Sequence, residues 1–477
     1  MDSSTAATEP KLPDLCRRPA HRIASDVAAG EVSATDVTET HLRTIAELNE
    51  QAGALVAIAA DQARDSAQQI DERRAAGREL GPLAGVPFAV SDLQPTRGLR
   101  TTLGSKIYRN YLPRHDSLLV ERLRAADAVI VGKSMTTAFG LGARQGQEVG
   151  PPPRNPRAPG RSAGDSGAGA AVAVASSMTP LADAPDLGGG GRVAAAFNGL
   201  VALRPTPGRI PTWPNDFAWD ALSGQCLLAR NVADLALAVR ALAGPDERAP
   251  LSTATPLLEP AACELHKRRL LWTPDFGRWT VPKEILAPCE SLLDRVEALG
   301  SHVGEEMAPF DKVDETFQIL QSWTFAQRHQ NDLHRHRQDL HPSIAEAIEE
   351  GLKLNGLVIA RAEMMRSKIY GALREIFAEH DFLVAPATQA LPAALDSSSR
   401  PAHDGSAAAF FGSMPICYPA SLAGLPSVTL PCGTSDDGLP VALQVLGRYG
   451  ADADVLTFAA QLEQLVNPSV VGDEATI

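Results

Sequence analysis

The stretch from Gly81 to Lys133 does most to narrow what this chain can fold into. Two short apolar runs, GPLAGVPFAV (81–90) and LRAADAVIVGK (123–133), are bounded by glycine and proline and show no polar alternation. Runs of that kind suit strands buried on both faces. Between them, Asp116 to Ala126 reads as a helix with Leu118, Leu119 and Leu123 turned inward. Strand, helix, strand in this order is the signature of a parallel α/β unit. Further helices are expected after Ser33, which with Asp36 resembles a capping box ahead of Val37, Leu42, Ile45 and Leu48. Others are expected over 62–76, 232–243, 287–299, most of 312–380 and 452–465, and strands over 381–388, 426–432 and 441–447.

Length alone, at ~150 residues per domain, would suggest about three domains. The 477 residues nevertheless hold no internal repeat and no boundary that splits them. The expected organisation is one domain over 21–477, preceded by a loose polar tail at 1–20. A formal charge of -13, from 44 basic and 57 acidic residues, argues against nucleic acid or an anionic membrane as partner. No apolar run of about 18 residues is present to span a bilayer. The N-terminus has no apolar core of the signal-peptide kind, so a cytoplasmic location is expected. Cys16, Cys226, Cys263, Cys289, Cys417 and Cys432 are scattered without a CxxC pair. They read as buried reduced thiols, with no metal, disulfide or cofactor expected.

Residues 145–192 stand apart in composition, being rich in Gly, Pro, Ser and Ala. A flexible linker would look similar. However, AGAAVAVAS within it is apolar and suits a tightly packed helix, and Gly188 to Gly191 lie between Asp186 and Arg192. That pattern suits a backbone loop approaching a ligand. The segment RHQNDLHRHRQDLH carries His329, His334, His336 and His341. His329 and His336 could share a helix face, but an exposed basic helix is favoured over a metal site, which needs converging ligands.

Eight segments, in order, resemble the amidase signature family. GPLAGVPFAVSDL (81–93) resembles GPLxGVPxAVKD, TTLGS (101–105) resembles TTxGS, and GKSMTTAFGLG (132–142) resembles GKTNMxEFAxG. Asn155 to Arg192 resembles the serine-glycine signature ending DTGGSIR. FNGLVALRPTPGRIP, LLARNVADLA, LAGLPSVTLPCG and GLPVALQVLG resemble the family's later segments. The resemblance covers about residue 20 to 465. It implies an α/β fold: a large mixed, mostly parallel sheet flanked by helices on both faces. It is also compatible with a homodimer.

The resemblance further implies a lysine base, a bridging serine, a serine nucleophile and an oxyanion site of backbone N–H groups. A hydroxyl becomes nucleophilic only when a base takes its proton, and burial can make lysine that base. Here the lysine position is Ser91, the nucleophile position is Gly190, and the bridging serine is Ser166, with Asp165 new beside it. Loss of a general base costs ~10²–10⁴-fold, and loss of a nucleophile acting within a triad on the order of 10⁶-fold. The expectation is a repurposed or hydrolytically silent relative, a pseudoenzyme with a degenerate triad. Its ligand would be a small acyl or amide-like molecule, floored by Leu187, Gly188, Gly189 and Gly190 with Ser91 and Ser166 on the walls. A non-hydrolytic reaction such as cyclisation or addition would be open to it. The alternatives are a weak amidase working through Ser166 with Asp165 as base, and a non-catalytic scaffold or regulatory subunit of an amidotransferase-like assembly.

Overall fold

The computed structural model describes residues 12–141, 148–254, 265–305, 310–395 and 415–466. Its strands are β1 (Leu55–Ile58), β2 (Pro87–Ser91), β3 (Val129–Ser134), β4 (Leu181–Asp186), β5 (Val201–Arg204), β6 (Gly224–Ala229), β7 (Arg269–Trp272), β8 (His302–Gly304), β9 (Phe382–Pro386), β10 (Ser427–Thr434) and β11 (Pro440–Leu446). They form one sheet in the order β1-β3-β2-β4-β6-β5-β10-β11-β9-β7-β8. The helices are α1 (Asp14–Arg17), α2 (Ala20–Ala29), α3 (Ala34–Ala52), α4 (Ala60–Ala75), α5 (Leu118–Ala125), α6 (Ala168–Ala175) and α7 (Gly190–Asn198). They continue as α8 (Val232–Leu242), α9 (Lys283–Ala298), α10 (Val313–His336), α11 (Pro342–Leu352), α12 (Gly356–Glu379), α13 (Tyr418–Ala423) and α14 (Asp452–Val466).

The mixed α/β architecture is as expected, but the parallel share is smaller. β2 pairs in parallel with β3 and β4, and β7 with β8 and β9. The other neighbours, β1–β3, β4–β6, β5–β6, β5–β10, β10–β11 and β9–β11, are antiparallel and outnumber them. "Mostly parallel" therefore gives way to mixed. The helix-linked unit β2–α5–β3 is parallel, whereas β10 and β11 meet through a tight turn closed by Ser435 N–H to Leu439 O (2.8 Å) and so run antiparallel.

The start of the chain also departs from expectation. Residues 1–11 lie outside the described set, but α1 and α2 fall within or begin inside the stretch expected to be loose. Cys16 is fully buried, and Asp234 accepts from Ala20 N and His21 N (both 2.9 Å). A carboxylate at a helix N-terminus satisfies otherwise unpaired N–H groups. Ser33 caps α3 as expected, accepting from Asp36 N at 2.9 Å.

α6 explains its own composition. Ala168 to Val174 are all buried, and a Cβ on Gly169 would stand 2.4 Å from the backbone N and O of Met135. Only a residue without a side chain lets the helix lie this close to the end of β3.

At the other edge of the core, Glu463 on α14 receives Val232 N at the start of α8 (3.1 Å to each carboxylate oxygen). Burial pushes its pKa up to about 7, with the Val232 N–H opposing and Asp234 adding. The native state thus keeps a proton that the unfolded chain releases, and stability falls as pH rises from the ordinary carboxylic range toward 7. Glu463→Gln is expected to raise stability at about pH 8 by ~1–2 kcal/mol and to change little near pH 4. Urea denaturation at the two pH values checks this, and equal shifts at both would refute it.

Candidate functional site

The glycine loop between β4 and α7 is built on Asp186. Its carboxylate accepts from Gly189 N (3.0 Å), Arg192 N (3.1 Å), Arg192 Nε (3.1 Å) and Arg192 Nη2 (3.0 Å). Arg204 closes the other side, with Nη1 donating to the Asp186 backbone oxygen and standing 3.4 Å from Oδ1. Arg192 also donates to Cys417 O, Gln444 Oε1 and Ser421 Oγ (2.8–3.2 Å). All three charged side chains are fully buried. Burial alone would raise the Asp186 pKa, but the two guanidinium groups outweigh it and hold it below the usual value. Gly189 sits at φ 111°, a conformation that needs glycine and turns the chain into α7.

Gly190 opens α7, and Ser166 precedes α6. A Cβ on Gly190 would lie 2.4 Å from Ser166 Oγ and 3.0 Å from Pro185 O. The missing side chain at 190 therefore points at Ser166. Asp165 is half-buried and acts electrostatically on Tyr418. Ser91 ends β2, where its N–H donates to Asp183 Oδ1 (2.7 Å) across to β4, and its hydroxyl receives Leu93 N (3.3 Å). The structure brings Ser166 and Gly190 together. Ser91 instead joins a separate network.

That network holds residues that sequence reasoning misses. Asp183 also accepts from Gln225 Nε2, and Gln225 Oε1 accepts from Gln94 Nε2 (2.8 Å). Lys133, fully buried on β3, donates to Gln94 O and to Thr96 Oγ1 (2.9 Å), not to Ser166. Burial lowers the lysine's pKa against the pull of Asp92 and Asp183, and burial raises that of Asp183 against the Ser91 N–H and Lys133. The signals that could have found them are a lysine inside VIVGKS and two aspartates in LADAPD.

Gln94 and Gln225 face a cavity of about 440 Å³, shared with Leu93, Leu187, Arg328 and His329. Of the expected floor, Leu187 lines it, whereas Gly188, Gly189 and Gly190 do not, nor do Ser91 and Ser166 of the expected walls. At Gly188 a Cβ would meet Phe317 at 2.4 Å and Tyr418 at 3.0 Å. Those two rings stack at 3.7 Å beside the loop. His329 is likewise not on an exposed face: it turns into the cavity, and His341 caps α11. The cysteines Cys16, Cys226, Cys289 and Cys417 are buried and Cys432 is half-buried, all free thiols, and Cys263 lies outside the described residues. Among the described residues, no group of three or more His, Cys, Asp and Glu could hold a metal, and no helix is long and apolar enough to cross a membrane.

Comparison with known proteins agrees with this framework. The family model described as Amidase matches residues 36–456. An acylamidase of Rhodococcus erythropolis is 30% identical over 465 residues, covering 93% of this chain and 94% of its own. A glutamyl-tRNA(Gln) amidotransferase subunit of Symbiobacterium thermophilum is 32% identical over 475 residues, covering 90% and 93%. Among solved structures, a chain from a vestigial protein complex bearing on the origins of an s-triazine catabolic enzyme superposes with a TM-score of 0.82 at 28% identity, covering 94% of this chain and 98% of that one. A bacterial aryl acylamidase shares the fold at a TM-score of 0.85 and 24% identity, covering 94% and 96%. With 421 consecutive positions (36 to 456) under one family model, the chain belongs to the amidase family.

Proposed function

We propose that this amidase-family chain is hydrolytically silent toward ordinary amides and keeps its cavity for a small acyl or amide-like molecule. The observation that carries the reading is the direction of position 190. Its absent side chain would aim at Ser166 Oγ, 2.4 Å from the Cβ site, as a nucleophile beside a bridging hydroxyl would. Glycine there offers no oxygen to carry an acyl group, and Ser91 offers no amine to draw off a proton. Ser166 itself is 7% exposed and outside the cavity lining. The side-chain amides of Gln94 and Gln225 remain as polar contacts for a ligand carbonyl or N–H, with which a cyclisation or addition could be guided.

Incubation with a fluorophosphonate probe is expected to leave the protein unlabelled, and a panel of simple anilides and esters is expected to turn over at the uncatalysed rate. A phosphonyl adduct on Ser166 would instead support a weak amidase. Likeness to a component of an amidotransferase favours a second reading, a scaffold within a larger assembly. Stable co-purification with a second chain, and loss of that chain's activity without this one, would support it.

A further inference from the structure

One ring of the cavity wall is used by nothing described above. His329 on α10 packs against both Phe139 and Phe325, with ring centroids 4.2 and 4.7 Å away. Its Nδ1 lies 3.0 Å from Asp332 Oδ2, one turn along the same helix. The other carboxylate oxygen of Asp332 accepts from Tyr108 O–H at 2.6 Å. An ionised carboxylate only accepts, so it fixes the proton on Nδ1 and leaves the Nε2 lone pair outward. No described residue hydrogen-bonds Nε2, and His329 lines the cavity. Phe139 holds its place at φ 56°, a left-handed conformation uncommon for a ring-bearing residue.

We propose that His329 is the proton acceptor of this cavity, with Asp332 and Tyr108 as its positioning residues, and that it takes a small molecule bearing a weakly acidic O–H or N–H. The proposal rests on the cavity being the ligand site. The proton passes from the ligand's O–H or N–H to Nε2, and the bond's electron pair stays on the ligand heteroatom. The imidazolium so formed is stabilised by Asp332 through Nδ1–H. The charged and titratable groups around it are Asp332, Arg328, Arg335 and His336 on α10, Tyr108 and Tyr111 below it, and Asp220, which pairs with Arg328 at 2.8 Å. Burial lowers the His329 pKa while Asp332 works against that, so the ring is neutral near pH 7 and its Nε2 lone pair is free of a proton. Burial works to raise the Asp332 pKa, but its bonds to His329 and Tyr108 hold it below the usual value.

The probe is 4-nitrophenol, whose phenolate is coloured and whose phenol is not. Bound to the wild-type chain, it is expected to show phenolate absorbance at a pH where the free compound is mostly phenol. His329→Gln is expected to weaken binding ~10-fold and remove the colour. Asp332→Asn is expected to keep binding but move the appearance of colour to higher pH, a displacement that a merely structural role would not produce. On unaltered protein, 4-nitrophenol is expected to protect His329 from carbethoxylation by diethyl pyrocarbonate, mapped by mass spectrometry. Failure of the wild type to bind, an unchanged spectrum in His329→Gln, or unprotected modification would each overturn the assignment. A fluorophosphonate adduct on Ser166 would overturn hydrolytic silence and leave this assignment standing.

Discussion

Arg192→Met is expected to destabilise the protein by ~3–5 kcal/mol, the loss that follows when one partner of a buried charge network is removed. The magnitude follows from what is stranded. Asp186 would lose both hydrogen bonds from the Arg192 side chain, keeping Arg204 as its one side-chain cation. Cys417 O, Gln444 Oε1 and Ser421 Oγ would lose a donor in a fully buried setting, and unsatisfied buried groups each cost about 1–3 kcal/mol. Arg192→Lys is expected to recover little, because one ammonium cannot reproduce a planar fork reaching four residues. Chemical denaturation measures both. A midpoint shift for Arg192→Met within the scatter of ordinary surface substitutions would refute the central place given to this network.

The second large effect is a gain of chemistry. Ser91→Lys with Gly190→Ser supplies a base and a nucleophile at the positions proposed to have lost them, within the surroundings that this chain provides. A side chain at 190 must displace Ser166 Oγ, which a rotation about one bond allows, and must pass 3.0 Å from Pro185 O. An amine at 91 would extend from a backbone whose N–H already meets the Asp183 carboxyl. A carboxylate there would hold the amine protonated, and a protonated amine is no base. The double variant is therefore expected to hydrolyse anilides weakly, and the addition of Asp183→Asn to raise that rate by ~10²-fold, the lower end of what a competent general base contributes. Initial rates on an activated anilide, with a fluorophosphonate adduct at position 190, are the readout. Parent turnover equal to that of the variants would end the proposal of a silent site.

Legibility from sequence follows locality. β2, α5 and β3 are readable because apolar runs and glycine–proline punctuation report burial directly, and α6 because eight small or apolar residues in succession have few other uses. β4 does not read as a strand: LADAPD carries two aspartates and a proline. Both carboxylates are satisfied by partners outside the strand, Ser91 and Gln225 for Asp183, Arg192 and Arg204 for Asp186. No local pattern announces such pairing. The candidate site divides in the same way. Ser166 and Gly190 can be placed together because motif spacing fixes them, whereas the Phe317–Tyr418 stack against Gly188 joins α10 to α13 across about a hundred residues. His329 looks like one more basic residue on a charged helix, since the rings that pack against it, Phe139 and Phe325, come from a distant turn and from one turn back along the helix.

The clasp of Asp186 with Arg192 and Arg204 separates two duties within a few residues of chain. Folding leans on the ends of the loop, at 186 and 192, while any reacting group would stand between them, at 190. A lineage can therefore erase the chemistry in the middle and inherit the architecture whole, and selection on a new ligand starts from a rigid frame instead of from a ruin.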